Sequence, residues 1–129
     1  MKQVLMAGLM MAVVQSVVAE DQLDNPAFSA CMEQAGGVTN AMIECMGAET
    51  ARQDVLLNQA YQAVMGGLTP ERKRQLQEAQ RLWLKYRKAN CDFYYDPDGG
   101  SMARVSANDC FMAMTAARAK ELEGFKLQD

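Results

Sequence analysis

"AQRLWLKYRKANCDFYYDPDGG", residues 79–100, is the stretch on which the fold turns. It holds the only Trp of the chain, three of its four Tyr, a burst of Lys and Arg, and one Cys, then breaks into Asp, Pro and Gly. Just upstream, Thr69-Pro70-Glu71 supplies an N-cap, a Pro at the first helical position and an acid in the first turn. From there Leu76, Ala79, Trp83, Tyr86 and Phe93 recur at helical spacing, widened by Leu82 and Ala89. Arg81, Lys85 and Lys88 lie together on the other side, where their stems cover apolar surface and their charges stay wet. The stretch reads as an amphipathic helix with Trp83 and Tyr86 in the core, running out into a loop.

Working outward, helix signals recur and no strand signal stands out. Asn25-Pro26 opens a short first helix that Gly36-Gly37 ends. A second helix spans about 40–65, presents Met42, Cys45, Met46, Leu57, Ala60, Tyr61 and Val64, and stops at Gly66-Gly67. A fourth carries Cys110, Phe111, Met114, Ala117, Leu122 and Phe125, with Ser106-Ala-Asn-Asp109 as a capping box at its start. Glu33, Glu44 and Glu49 read as helix surface, and the Met residues as adaptable core filling. The expected fold is all-α: a small bundle of one short and three longer helices.

The chain has 129 residues, enough for a single domain. It begins "MKQVLMAGLMMAVVQSVVAED", with Lys2 ahead of an apolar run from Val4 to Val18 and small residues before Glu20. This pattern is a secretory signal peptide, residues 1–19, with cleavage expected after Ala19 and a mature domain over 20–129. The run is shorter than the ~20 residues a spanning helix needs, so no membrane span is expected after cleavage. No Cys follows the cleavage site, which argues against a lipid anchor. Without the leader, twelve Lys and Arg face sixteen Asp and Glu, a net charge of −4. That sign argues against nucleic acid and suits a cationic partner.

Cys31, Cys45, Cys91 and Cys110 form an even set in an exported chain and read as two disulfides. There is no CxxC and no His, so neither a zinc site nor a redox motif is expected, and no metal or cofactor. Of the three connectivities, Cys31–Cys45 and Cys91–Cys110 are favoured. The first pair sits at similar distances on either side of Gly36-Gly37, level in a hairpin and within the ~7 Å a bridge tolerates. For the second, a fourth helix starting at Ser101 would leave an offset of roughly 9 Å. The expectation is therefore that this helix begins at Ser106, leaving a loop over 94–105 stapled at its base.

That loop, "YYDPDGGSMARV", is the candidate partner-binding element, with Tyr94 and Tyr95 as anchors and Asp96, Asp98, Ser101 and Arg104 around them. Calcium fits it poorly: Asp96, Asp98 and Gly99 match an EF-hand register, but Tyr94 and Val105 fall where the first and last ligands belong. No general-base His, GxSxG or phosphate-cradling Gly loop is present, so an enzyme is not expected.

Four segments, "CMEQAGGVTNAMIECMGAE", "LNQAYQAVM", "LQEAQRLWLKYRKANCDF" and "CFMAMTAARAKEL", occur in an order that resembles the LprI-type lysozyme-inhibitor family, from about Cys31 to Leu122. The runs Ala79-Gln80-x-x-Trp83-x-x-Tyr86-Arg87-x-x-x-Cys91, Leu57-Asn58-x-x-Tyr61 and Thr115-x-x-Arg118-x-x-Glu121-Leu122 carry the resemblance. It implies a small exported bacterial helical domain, placed in the periplasm or secreted. The implied partner is a protein, lysozyme, bound and inhibited so that peptidoglycan is protected. The alternative is a periplasmic interaction or envelope-stress module with another protein partner and no lysozyme inhibition.

Overall fold

A computed structural model describes residues 25–125. The signal peptide expected over 1–19 lies outside them. Four helices follow in order: α1 (Pro26–Ala35), α2 (Thr39–Gly66), α3 (Pro70–Tyr94) and α4 (Gly100–Phe125). No strand occurs among the described residues. The all-α expectation holds, and so do the caps at Asn25 and Thr69. Each of those side chains accepts from a backbone N–H in the first turn, from Ala27 and Arg72 respectively.

α4 is the centre. α2 lies parallel to it and α3 antiparallel, while α1 folds back over the first half of α2. Ala103, Ala107, Ala116 and Ala119 are buried on α4, and these small side chains let α2 approach closely. Leu57, Ala60, Ala119 and Leu122 form the buried cluster, with Leu56, Tyr61, Leu76, Trp83 and Phe125 packed around it.

Both favoured disulfides are present, Cys31–Cys45 with Cα atoms 5.8 Å apart and Cys91–Cys110 with Cα atoms 5.4 Å apart. The expected start of the last helix is wrong, however. α4 begins at Gly100, the long loop shrinks to residues 95–99, and Ser106–Asp109 lies inside the helix. The offset argument assumed that both helices end level at the connection. Five residues can span up to ~16 Å, so the chain runs on past the end of α3 before turning back. The first turns of α4 therefore overhang α3 and rest beside the start of α2, where Arg104 Nη2 donates to Asn40 Oδ1 at 3.2 Å.

Glycine makes that sharp turn possible. The Asp98 N–H donates to Asp96 Oδ1 at 2.9 Å and the Gly99 N–H to the Asp96 carbonyl at 3.0 Å. A Cβ on Gly99 would lie 2.7 Å from the Ala103 Cβ, and Gly100 has φ 63°.

The inward face of α3 also differs from the expected stripe. Leu76 and Trp83 point inward, but so do Gln80, Arg87, Asn90 and Cys91, whereas Tyr86 is 60% and Phe93 84% exposed. Ten residues separate Trp83 from Phe93, about 2.8 turns, which swings Phe93 well off the Trp83 line. On α4, Ala117 is exposed and Met112 and Thr115 are buried.

Glu49 is a further correction: it is 3% exposed, not on the surface. Arg52 donates to both its oxygens, at 2.5 and 3.0 Å, and Gln53 and Asn25 donate at 2.9 Å each. Burial pushes its pKa up, but the hydrogen bonds from Arg52, Gln53 and Asn25 outweigh that and hold it below its ordinary 4.5. A folded pKa below the unfolded one gives stability that is present above the ordinary value and lost as pH falls through the depressed one. Urea midpoints measured from about pH 6 down to pH 3 should therefore fall, and Glu49→Gln should flatten that fall while lowering the midpoint at neutral pH. An unchanged slope in the variant would remove Glu49 from the acid response.

Candidate functional site

The candidate site lies where α3 gives way to α4. Tyr94 is the last residue of α3, Tyr95 to Gly99 form the connection, and Ser101 and Arg104 sit on the first turns of α4. The six residues singled out from sequence thus come from two helix ends and a short turn. Tyr94 and Tyr95 are about half exposed. Asp96 spends its side chain on the Asp98 N–H, and Arg104 spends one nitrogen on Asn40. Ser101 and Asp98 are exposed.

Two further exposed residues join this end and were not picked out as site residues: Phe93, beside Tyr94 with ring centroids 6.1 Å apart and edge-on, and Met102. Counting turns from Trp83 would have placed Phe93 outside the core. Met102 carried no signal, because its exposure depends on where α4 begins. Between the last turns of α3 and the middle of α4, Asn90, Tyr94, Ser106, Asp109, Cys110, Ala113 and Met114 line a groove of about 340 Å³. Met114 Sδ lies 3.7 Å from Cys91 Sγ and 3.8 Å from Cys110 Sγ, and Asn90 Nδ2 is 3.3 Å from the same thioether. These sulfur contacts join the last turn of α3 to the middle of α4.

A polar network behind this end fixes the angle of α3 on α4. Arg87 Nη1 donates to Thr115 Oγ1 at 2.9 Å and to Asp54 Oδ1 at 3.2 Å. Arg118 Nε donates to Gln80 Oε1 at 2.9 Å, and its Nη1 to Glu121 Oε2 at 2.6 Å. Both guanidiniums approach the Trp83 ring, with Cζ atoms 5.0 and 5.9 Å from its centroid. Gln80, Trp83, Arg87, Thr115, Arg118 and Glu121, separated in sequence, meet in one layer. Together they join α3 to α4 through paired polar groups as well as apolar contact.

Among the described residues, no three acids or cysteines are grouped as a metal ion requires. No described helix is long and apolar enough to cross a membrane. The family model described as "Lysozyme inhibitor LprI" matches residues 31–122, which covers both disulfides, the polar layer and the exposed aromatic end. That description attaches inhibition of lysozyme, and so a protein partner, to the family. Comparisons with curated proteins and with solved structures gave no match.

Proposed function

The chain belongs to the LprI family, and on that premise we propose that it is an exported periplasmic protein that binds lysozyme and blocks it, protecting peptidoglycan without catalysing a reaction itself. The family match over most of the chain carries this reading. Export is supported by the leader-like residues 1–19 and by four cysteines that are all bridged, as an oxidising compartment favours.

The exposed end is the contact surface in this reading. Phe93, Tyr94, Tyr95 and Met102 offer apolar anchors, and protein interfaces are enriched in aromatics and Met. Asp96, Asp98 and Asp109 surround them with negative charge, which would speed encounter with a cationic enzyme at low salt. Lysozyme-type sites hold two carboxylates in a cleft, and Ser101, the free nitrogens of Arg104 and the Tyr hydroxyls are donors suited to them.

The test is a titration of oxidised protein lacking residues 1–19 into a c-type lysozyme, read by lysis of a bacterial suspension. Saturable inhibition near one to one is expected. Tyr95→Ala and Arg104→Glu should each weaken it by about tenfold or more while leaving helicity unchanged. No inhibition at tens of micromolar (about −6 to −7 kcal/mol of binding) would reject the reading.

A further inference from the structure

Leu57-Asn58-x-x-Tyr61 is a motif that the aromatic end does not use. It lies in the other half of the bundle. α2 and α3 each pack against α4 more than against one another, which leaves a groove of about 590 Å³ between them. That size falls within the ~300–1,000 Å³ of small-ligand sites. Leu57 and Gln80, both buried, belong to its lining. Asn58, Gln62 and Gln77 line it as exposed residues, and none of the three makes a side-chain hydrogen bond among the described residues. Tyr61 and Leu84 add apolar surface.

The charges at this groove are already taken. Asp54 holds Arg87 at 3.2 Å, and Arg81 holds Glu78 at 2.5 Å. What remains free is a set of neutral planar amides beside one aromatic ring. Each primary amide donates two N–H bonds and accepts at its oxygen, so it can meet both a hydroxyl and an acetamido group. The ring and the exposed Leu84 suit the C–H face of a sugar. A polyanion would find no unpaired cation here.

We propose that this groove binds a short uncharged glycan bearing N-acetyl groups, held by Asn58, Gln62 and Gln77 and stacked on Tyr61. The proposal goes beyond lysozyme inhibition and does not depend on it.

The experiment is an NMR titration of the oxidised protein with the N-acetylglucosamine trimer, following the side-chain amides of Asn58, Gln62 and Gln77. Saturable shifts are expected, with Kd of about 1 mM, as befits an open groove. Asn58→Ala and Gln77→Ala should each weaken binding about three- to tenfold, with unchanged thermal unfolding. A glucose trimer, which lacks the acetamido groups, should bind about tenfold more weakly if one such group makes a good hydrogen bond. Three outcomes would overturn the proposal: no saturable shift at the groove, an equal response to the glucose trimer, or tighter binding of an uncharged tripeptide. No lysozyme is present, so failure here leaves the inhibition assay untouched, and failure there leaves this one standing.

Discussion

Arg118→Ala should lower the free energy of unfolding by about 3 kcal/mol. Arg118 is buried on α4, yet carries a charge that four neighbours share, Gln80, Glu121, Trp83 and Phe125. Its Nε satisfies Gln80, which is itself buried on α3, and truncation leaves that amide oxygen without its donor, costing ~1–3 kcal/mol. The guanidinium also lies against the Trp83 and Phe125 rings, 5.9 and 6.0 Å from their centroids, and losing a desolvated cation from a ring costs ~0.5–2 kcal/mol. Glu121 adds little, because its side chain is half exposed and water replaces the lost partner. Arg118→Lys keeps the charge but not the planar fork, so it should recover only part of the loss. Urea unfolding followed by circular dichroism measures both variants without relying on Trp83 fluorescence, which the substitutions themselves would alter. A loss under about 1 kcal/mol for the Ala variant would mean that Gln80 finds water or another donor and that the layer is not what sets α3 on α4.

The same layer explains why part of this fold could be read from the sequence and part could not. Helix boundaries were legible wherever local chemistry fixes them: Asn25-Pro26, Thr69-Pro70, Gly36-Gly37 and Gly66-Gly67 are all near true ends. The start of α4 was not, because Ser106–Asp109 mimics a cap while Gly99-Gly100 admits a helix only through the close approach of Ala103 and Asp96. The inward face of α3 was misread for a related reason. Hydrophobic periodicity assumes that apolar side chains face in, but Gln80, Arg87 and Asn90 face in because Arg118, Thr115 and Cys110 are there to receive them. Those partners lie 20 to 38 residues away, beyond any local pattern. Glu49 went unrecognised in the same way, since Asn25 reaches it from 24 residues upstream. At the candidate site, Tyr94 and Tyr95 were visible as aromatics next to turn residues. Phe93 and Met102 required the real helix phase and the real start of α4.

Removing the Cys91–Cys110 bridge should have the larger effect on binding, although the two bridges should stabilise the fold almost equally. Their sequence separations are 19 and 14 residues, and in the chain-entropy account both loops correspond to about 3 kcal/mol. Their surroundings differ. Cys31–Cys45 ties α1 to α2, which Asn25 and Glu49 also join. Cys91 is fully buried and ties the last turn of α3 to the third turn of α4, and so fixes how far α4 overhangs before residues 95–99 turn. Phe93, Tyr94 and Tyr95 follow Cys91 directly, and Met102 lies two turns before Cys110, so the bridge sets where both sides of the exposed end stand. Cys91→Ala/Cys110→Ala should therefore lose about 3 kcal/mol in urea unfolding and, where still folded, inhibit lysozyme at least about tenfold more weakly. Cys31→Ala/Cys45→Ala should match the stability loss and keep most of the inhibition. Ala is the right replacement at Cys91, since Ser would bury a hydroxyl there and confound the comparison. If both double variants inhibit alike at equal folded concentration, the bridge supports the bundle without positioning the aromatic end, and the contact surface must be sought on another face. If only the Cys91–Cys110 variant fails, the order of that end is itself part of the affinity, because binding would otherwise have to supply the ordering that the bridge now provides.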